Sequence, residues 1–414
     1  MTYRLKRRLC CLFYLAITLS VISCKKDSPV TAGEPISPTT GTRTEFTLDS
    51  IYLYAKQVYL WNDILPSYAE FNPRKYATIN PEITAFKTEM FNFSQLKINS
   101  ATGNPYEFSS GSTSSKYSYL QSGNTTGVSA ATGTTSDQAI LKTAVISSGN
   151  QQNAYMALGS FPRLSSCKTA LDDAFAMLAA AHPGILVIDL RSNGGGYVET
   201  AEYIANLVAG TSLNGKVIYS EQYNTQLQTG KATILKNQPY YDNEGKTVMY
   251  NGRMATMADV NFTEPGNTHY FSKKGTLETI TTIYFIVSAH TASASELLIS
   301  SLKPYFKVKL AGSTTYGKPV GFFAINIDRY TVYLASFLIK NASGWSDYFT
   351  GMPADIAVSD PANPILGDPE EDCLRAVLTD INGTAKRASS VQVTRSSPLT
   401  LPEEQMIENR LKLK

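Results

Sequence analysis

Histidine, charge and cysteine are scarce in this chain of 414 residues. The three histidines, His182, His269 and His290, form no His/Glu cluster with ligand spacing, so a metal centre is not implied. His290 lies three residues before Ser293, yet no Gly-x-Ser-x-Gly elbow accompanies it. A histidine-dependent hydrolase is therefore disfavoured, and His290 reads as a loop residue at the rim of a cleft. Charged residues make up only 17%, beside 25 tyrosines, which suits a secreted or surface protein and argues against disorder. The formal charge of +3 misleads, because Arg4, Lys6, Arg7 and Arg8 fall in the first 23 residues, which hold no acid. Taking those four from 37 basic residues leaves 33 against 34 acidic, a body of charge −1. Such a body has no electrostatic footprint for nucleic acid. Neither the Walker nor the dinucleotide glycine spacing is present, no cofactor is called for, no internal repeat is visible, and the oligomeric state is not set by the sequence.

The five cysteines sort by position. A basic start and an apolar run from Leu9 to Ile22 mark residues 1–23 as a signal segment, too short and wrongly flanked for a membrane span. Cys10 and Cys11 leave with it. The run ends in Val21-Ile22-Ser23-Cys24, which resembles a bacterial lipobox and makes Cys24 the expected lipidation site. The alternative is an ordinary signal peptide with an incidental cysteine. The lipid on Cys24 would be the membrane partner and would place the protein in the cell envelope, periplasmic or on the outer-membrane surface. Cys167 and Cys373 remain; two cysteines define no disulfide framework, and two buried free thiols are favoured over a bridge.

Residues 24–44, rich in Pro, Thr, Gly and Ser, read as a tether. Leu48, Ile51, Tyr52, Ala55, Val58 and Tyr59 recur at helical spacing, and a second helix is expected within Pro81–Phe93. Residues 45–98 thus form a small helical N-terminal unit, with Trp61 in its core or packing surface. The polar stretch 99–139 is a linker carrying a short strand at Tyr117-Ser118-Tyr119-Leu120. From 140 the chain alternates: strands at Ala139–Ser147, Ala154–Leu158, Gly184–Leu190, Thr281–Ser288, Phe306–Ala311 and Gly321–Ile327, with helices at Ser165–Ala181, Thr200–Ala209 and Ser293–Leu302. This alternation predicts a mixed α/β core over 140–390. The Tyr-rich, polar segment 211–279 interrupts it as an expected surface excursion. Asp368–Leu378 is a late helix, and 391–414 is a tail with little pattern.

Three segments carry chemistry. Ser293, in Ser293-Ala294-Ser295-Glu296, opens a helix after a buried strand, where small neighbours admit a substrate backbone and the helix N-terminus favours negative charge. The same residues fit a capping box, a reading compatible with a nucleophile. Lys318 follows 25 residues later, in Tyr316-Gly317-Lys318-Pro319. It can be a base only if burial pulls its pKa down; otherwise it is a surface lysine in a strand–strand loop. Asn193-Gly194-Gly195-Gly196 follows a buried strand, and its glycines allow backbone N–H groups to converge on an anion, unless it is simply a strand-to-helix turn.

In this order the three segments resemble the C-terminal processing, or tail-specific, serine peptidases. The likeness spans about 140–385, including Asp189-Leu190-Arg191-Ser192-Asn193-Gly194-Gly195, Tyr155–Phe161, Gly351-Met352-Pro353 and Asp368–Leu378. The resemblance implies a crotonase-like ββα core, a peptide or protein substrate, Ser293 as nucleophile and Lys318 as general base. It implies oxyanion-hole amides from Ala294 and from Gly195 or Gly196. It is nearest to lipid-anchored members with a helical N-terminal unit. Phe322 stands where many members carry a lysine-orienting glutamine, and no complete PDZ pattern is found between 99 and 140, so 99–139 is a linker or a PDZ remnant. The same fold also serves as a non-catalytic peptide- or ligand-binding lipoprotein, which is the alternative function.

Overall fold

The computed structural model describes residues 37–125, 139–148, 151–242, 245–361, 363–383 and 410–414. The signal segment, Cys24, most of the tether, and 384–409 lie outside the described residues. The architecture is mixed α/β. A six-stranded sheet runs in the order Ile356–Ala357, Lys307–Gly312, Thr282–Val287, Ile185–Asp189, Gln151–Leu158, Ile140–Ser148. All neighbours are parallel except the last pair. Leu186, Val187 and Ile188 are wholly buried because both faces of the sheet are covered, which is why the sequence there is an unbroken apolar run. The Asp372–Ile381 helix covers one face through Cys373, Leu374 and Val377 against Tyr155, Val187 and Ile286. The helices Leu164–Ala179, Val198–Val208 and Ala294–Leu302 bury their apolar residues in the larger core on the other face.

Two antiparallel sheets complete the core, and here the structure departs from the expected pattern. Residues 211–279 are not wholly a surface excursion. Val217–Tyr223 is an inner strand, paired with Phe337–Asn341 on one side and Thr268–Tyr270 on the other. Tyr219 and Tyr223 are buried with their hydroxyls donated to Glu202 (3.1 Å) and Glu221 (2.8 Å), so a polar, Tyr-rich composition coexists with burial. Gly321–Ile327 is not one strand. Val320–Gly321 pairs with Phe337–Asn341, whereas Ala324–Ile327 joins a three-stranded sheet with Tyr330–Tyr333 and Tyr119–Ser122. Phe322 and Phe323 are both buried between them, packed on Tyr119 and Phe262; two consecutive inward side chains break the period of two.

The helices Arg43–Val58, opened by a Thr42–Glu45 capping box, and Glu82–Ser94 do not stand apart. Leu48, Ile51, Val58 and Phe86 belong to the same core as the sheets, the Leu60 N–H donates to Ala335 O (2.7 Å), and residues 37–414 form one unit without a division at 98 or 139. Nor is the end of the chain patternless: Leu413 bridges to Val260, and the Lys414 N–H donates to Asp259 O. Among the described residues no helix is long and apolar enough to cross a membrane.

Candidate active site

The strand Thr282–Val287 delivers the chain to a short loop, and Ser293 caps the Ala294–Leu302 helix at φ 64°, ψ −120°. A non-glycine residue in that region is strained by roughly 1–3 kcal/mol, a strain that persists only where surroundings enforce it. The surroundings are tight. A Cβ at Gly195 would lie 2.8 Å from Ser293 Cβ and 2.9 Å from Ala294 N, so the glycine loop is pressed directly against the serine. Ser295 Oγ and the Ala292 N–H both donate to Asn193 O, stitching the two loops together. Ser293 is fully buried, and its Oγ has no hydrogen-bond partner among the described residues. The capping interaction is therefore one-sided: Glu296 accepts the Ser293 N–H at 3.1 Å, and the hydroxyl is left over for other work.

The glycine loop is held equally closely. Asn193 Nδ2 donates to Leu158 O, and Asn193 Oδ1 accepts the Gly195 N–H at 2.9 Å, so that amide is engaged within the loop in this structure. Gly196 bridges to Phe161, and a Cβ there would meet Phe161 O at 2.2 Å.

Glu296 organises the Lys318 loop as well as Ser293. It accepts from Thr315 Oγ1 (2.6 Å), the Gly317 N–H (2.7 Å) and the Lys318 N–H (2.8 Å). One buried carboxylate therefore grips the backbone of both Ser293 and Lys318. Burial pushes its own pKa up, opposed by those four donors. The Lys318 side chain is 5% exposed, with Nζ 4.8 Å from the centre of the Phe322 ring. Desolvation lowers its pKa to about 7; Glu296 and Glu107 pull it up, and Lys116 pushes it further down. Phe322 thus supplies an apolar wall and a π-face beside the Lys318 ammonium.

Four residues around the site had no site role assigned to them in the sequence. Glu296 was legible only as a helix cap, although its place in Ser-Ala-Ser-Glu was the available signal. Lys116, Tyr117 and Glu107 come from the polar stretch 99–139, whose composition gave no hint of contact with the Lys318 loop. His290 is half-buried, its N–H donated to Ser288 Oγ. His269 stacks on Tyr219 with Nδ1 2.9 Å from Glu202. Cys167 and Cys373 are buried free thiols, pushed up to about 11 and about 12 by burial, far from a reactive thiolate. Among the described residues no group of three or more metal-ligating side chains is assembled.

Residues 152–358, half of the chain, match the model of peptidase family S41. The chain belongs to peptidase family S41. The matched region contains the glycine loop, Ser293 and Lys318. Among solved structures, the chain is similar to one from Bacteroides fragilis assigned as an S41 protease (20% identity, TM-score 0.46), covering 60% of this chain and 59% of that one. It is similar to a protein from Parabacteroides merdae assigned as a peptidase (14%, 0.48, 84% and 100%) and to the photosystem II D1 C-terminal processing protease (14%, 0.45, 81% and 97%). No curated protein matches. Placed in the S41 family, the mixed α/β core is a serine-peptidase core, and the half-chain outside the match includes the whole N-terminal helical region and Lys116.

Proposed function

We propose that this S41 member is a serine endopeptidase acting through a Ser293/Lys318 dyad on unstructured or C-terminal protein segments. It works in the cell envelope, held there by lipid on Cys24. Uncharged Lys318 Nζ takes the proton from Ser293 Oγ as Oγ bonds to the scissile carbonyl carbon. The resulting oxyanion receives the Ala294 N–H and a glycine-loop N–H, from Gly196 or from Gly195 once its bond to Asn193 Oδ1 is released. The C–N bond then breaks, the leaving amine takes the proton from Lys318, and an acyl ester remains on Ser293. Water attacks that ester, giving its proton to Lys318, which returns it to Ser293 as the acid departs.

The observation that carries this reading is the shared grip of Glu296 on Ser293 and Lys318, with the lysine buried beside Phe322. A lysine with pKa about 7 is half uncharged at neutral pH, whereas an ordinary one at about 10.4 is almost wholly protonated. Activity should rise with pH through about 7, as the ammonium loses its proton. Ser293→Ala should lower cleavage of an unstructured peptide by on the order of 10³-fold or more while leaving the melting temperature nearly unchanged. Undiminished proteolysis in that variant, or a profile falling between pH 6 and 8, would reject the dyad. Failure of a serine-reactive phosphonate to label Ser293 at any pH would favour a binding lipoprotein instead.

A further inference from the structure

The loop carrying Lys318 is gripped from two sides, and only one belongs to the matched family region. Glu296 holds the N–H groups of Gly317 and Lys318. On the opposite side the carbonyls are taken by residues of the 99–139 stretch. Lys116 Nζ donates to Tyr316 O (3.2 Å) and to Phe349 O (2.6 Å), and the Tyr117 hydroxyl donates to Gly317 O (2.7 Å). Tyr316 returns a bond from its hydroxyl to Lys116 O. The ammonium lies 5.3 Å from the Tyr117 ring centre and 4.9 Å from that of Tyr316, a desolvated place for a charge. Phe349 and Gly317 are in contact, since a Cβ at Gly317 would lie 2.5 Å from Phe349 O. Tyr117 itself is fixed below by Glu107, which accepts the N–H groups of Tyr117 and Ser118.

We propose that Lys116 is a positioning residue for the base. Its ammonium clamps the Tyr316 and Phe349 carbonyls together and so fixes the turn from which Lys318 projects. The proposal rests on the dyad reading for its catalytic consequence. A half-buried lysine is costly unless its donors are used, and here two of the three are spent on carbonyls that bracket the Lys318 loop. Its positive charge also faces Lys318. The charged and titratable groups around the pair are Glu296, Glu107, Tyr117, Tyr316 and Tyr348. Burial lowers Lys116 only to about 8, so near neutral pH it still carries charge and disfavours protonation of Lys318.

The test uses the full chain with Lys116→Met, Lys116→Arg and Tyr117→Phe, and two readouts. Amide hydrogen exchange across 315–319 and 349–351, measured in a Ser293→Ala background, reports positioning without any activity. Lys116→Met should accelerate it at least tenfold, Tyr117→Phe by less, and Lys116→Arg, which keeps charge and donors, should stay near the parent. Phosphonate labelling of Ser293 against pH reports the consequence. Lys116→Met should lower the rate tenfold or more at pH 7 and move the midpoint upward, because a neighbouring like charge is gone; Lys116→Arg should keep the midpoint. Unchanged exchange in Lys116→Met, or an unmoved midpoint with a uniform loss at every pH, overturns the proposal. If Lys116→Met does not fold, an Arg variant that exchanges as fast as unfolded chain does the same, and one at parent protection supports it. Loss of labelling in the parent protein, with the exchange pattern as expected, rejects the dyad and leaves the clamp standing.

Discussion

Gly195 sets how closely the glycine loop approaches Ser293. A side chain there would collide with Ser293 Cβ, Ala292 O and Ala294 N, two of them backbone atoms that cannot swing away, and the residue sits at φ 111°. Gly194, one position earlier, would meet no atom within 4 Å. Gly195→Ala should therefore lower stability by more than ~1 kcal/mol and displace Ser293, whereas Gly194→Ala should not lower the melting temperature. Thermal melts of the two variants decide this, and equal melting temperatures would refute it. Lys318 illustrates the same scale. Its place was readable in Gly317-Lys318, but its lowered pKa depends on burial in the folded chain and, to a smaller extent, on Lys116, about 200 residues away.

The Glu82–Ser94 helix carries a defect of its own. Glu89 is wholly buried, and neither carboxylate oxygen has a hydrogen-bond partner among the described residues. Burial raises its pKa well above the usual value, helped by the charge of Asp49. The folded protein therefore keeps a proton that the unfolded chain releases above about pH 4.5. The sign follows: below that pH Glu89 costs nothing by titration, and as pH rises stability falls by about 1.4 kcal/mol per unit until the folded group ionises. Glu89→Gln should raise the denaturation midpoint at pH 7 and leave it nearly unmoved at pH 4. An equal effect at both pH values would refute the linkage. Elements were legible where local sequence sufficed, as in the unbroken apolar run of Ile185–Asp189 and the helix Ala294–Leu302 opened by its cap. They were misread where partners lay far away. Val217–Tyr223 became an inner strand because Phe337–Asn341 and Thr268–Tyr270 flank it, and no local feature announces either neighbour.

Across the whole molecule, Arg191 ties distant parts of the chain together. It pairs with Asp189 at the end of a central strand (2.8 Å), with Glu371 (2.7 Å) and with Asp360 (3.3 Å). Glu371 in turn caps the Asp372–Ile381 helix by accepting the Leu374 N–H. Removing the cation leaves buried carboxylates facing one another, so Arg191→Met should cost about 3–5 kcal/mol, read as a lower urea midpoint. A loss below ~1 kcal/mol would mean that the carboxylates rearrange freely. Asp189-Leu190-Arg191 was quoted in the sequence as a motif beside the glycine loop; its structural task needs Glu371, 180 residues later.

The sequence by itself determined the apolar strands and helices of the α/β core, the glycine loop, and the serine and lysine that follow them. Those features rest on short-range periodicity and on residue chemistry, which are local. Only the tertiary structure decided that Val217–Tyr223 lies inside, that Phe322 divides two strands, that the chain's last residues dock on Val260, and that Glu296 and Lys116 both hold the backbone of the Lys318 loop. Burial, desolvation and hydrogen-bond satisfaction depend on which distant residues arrive at one place, and that is a property of the folded chain.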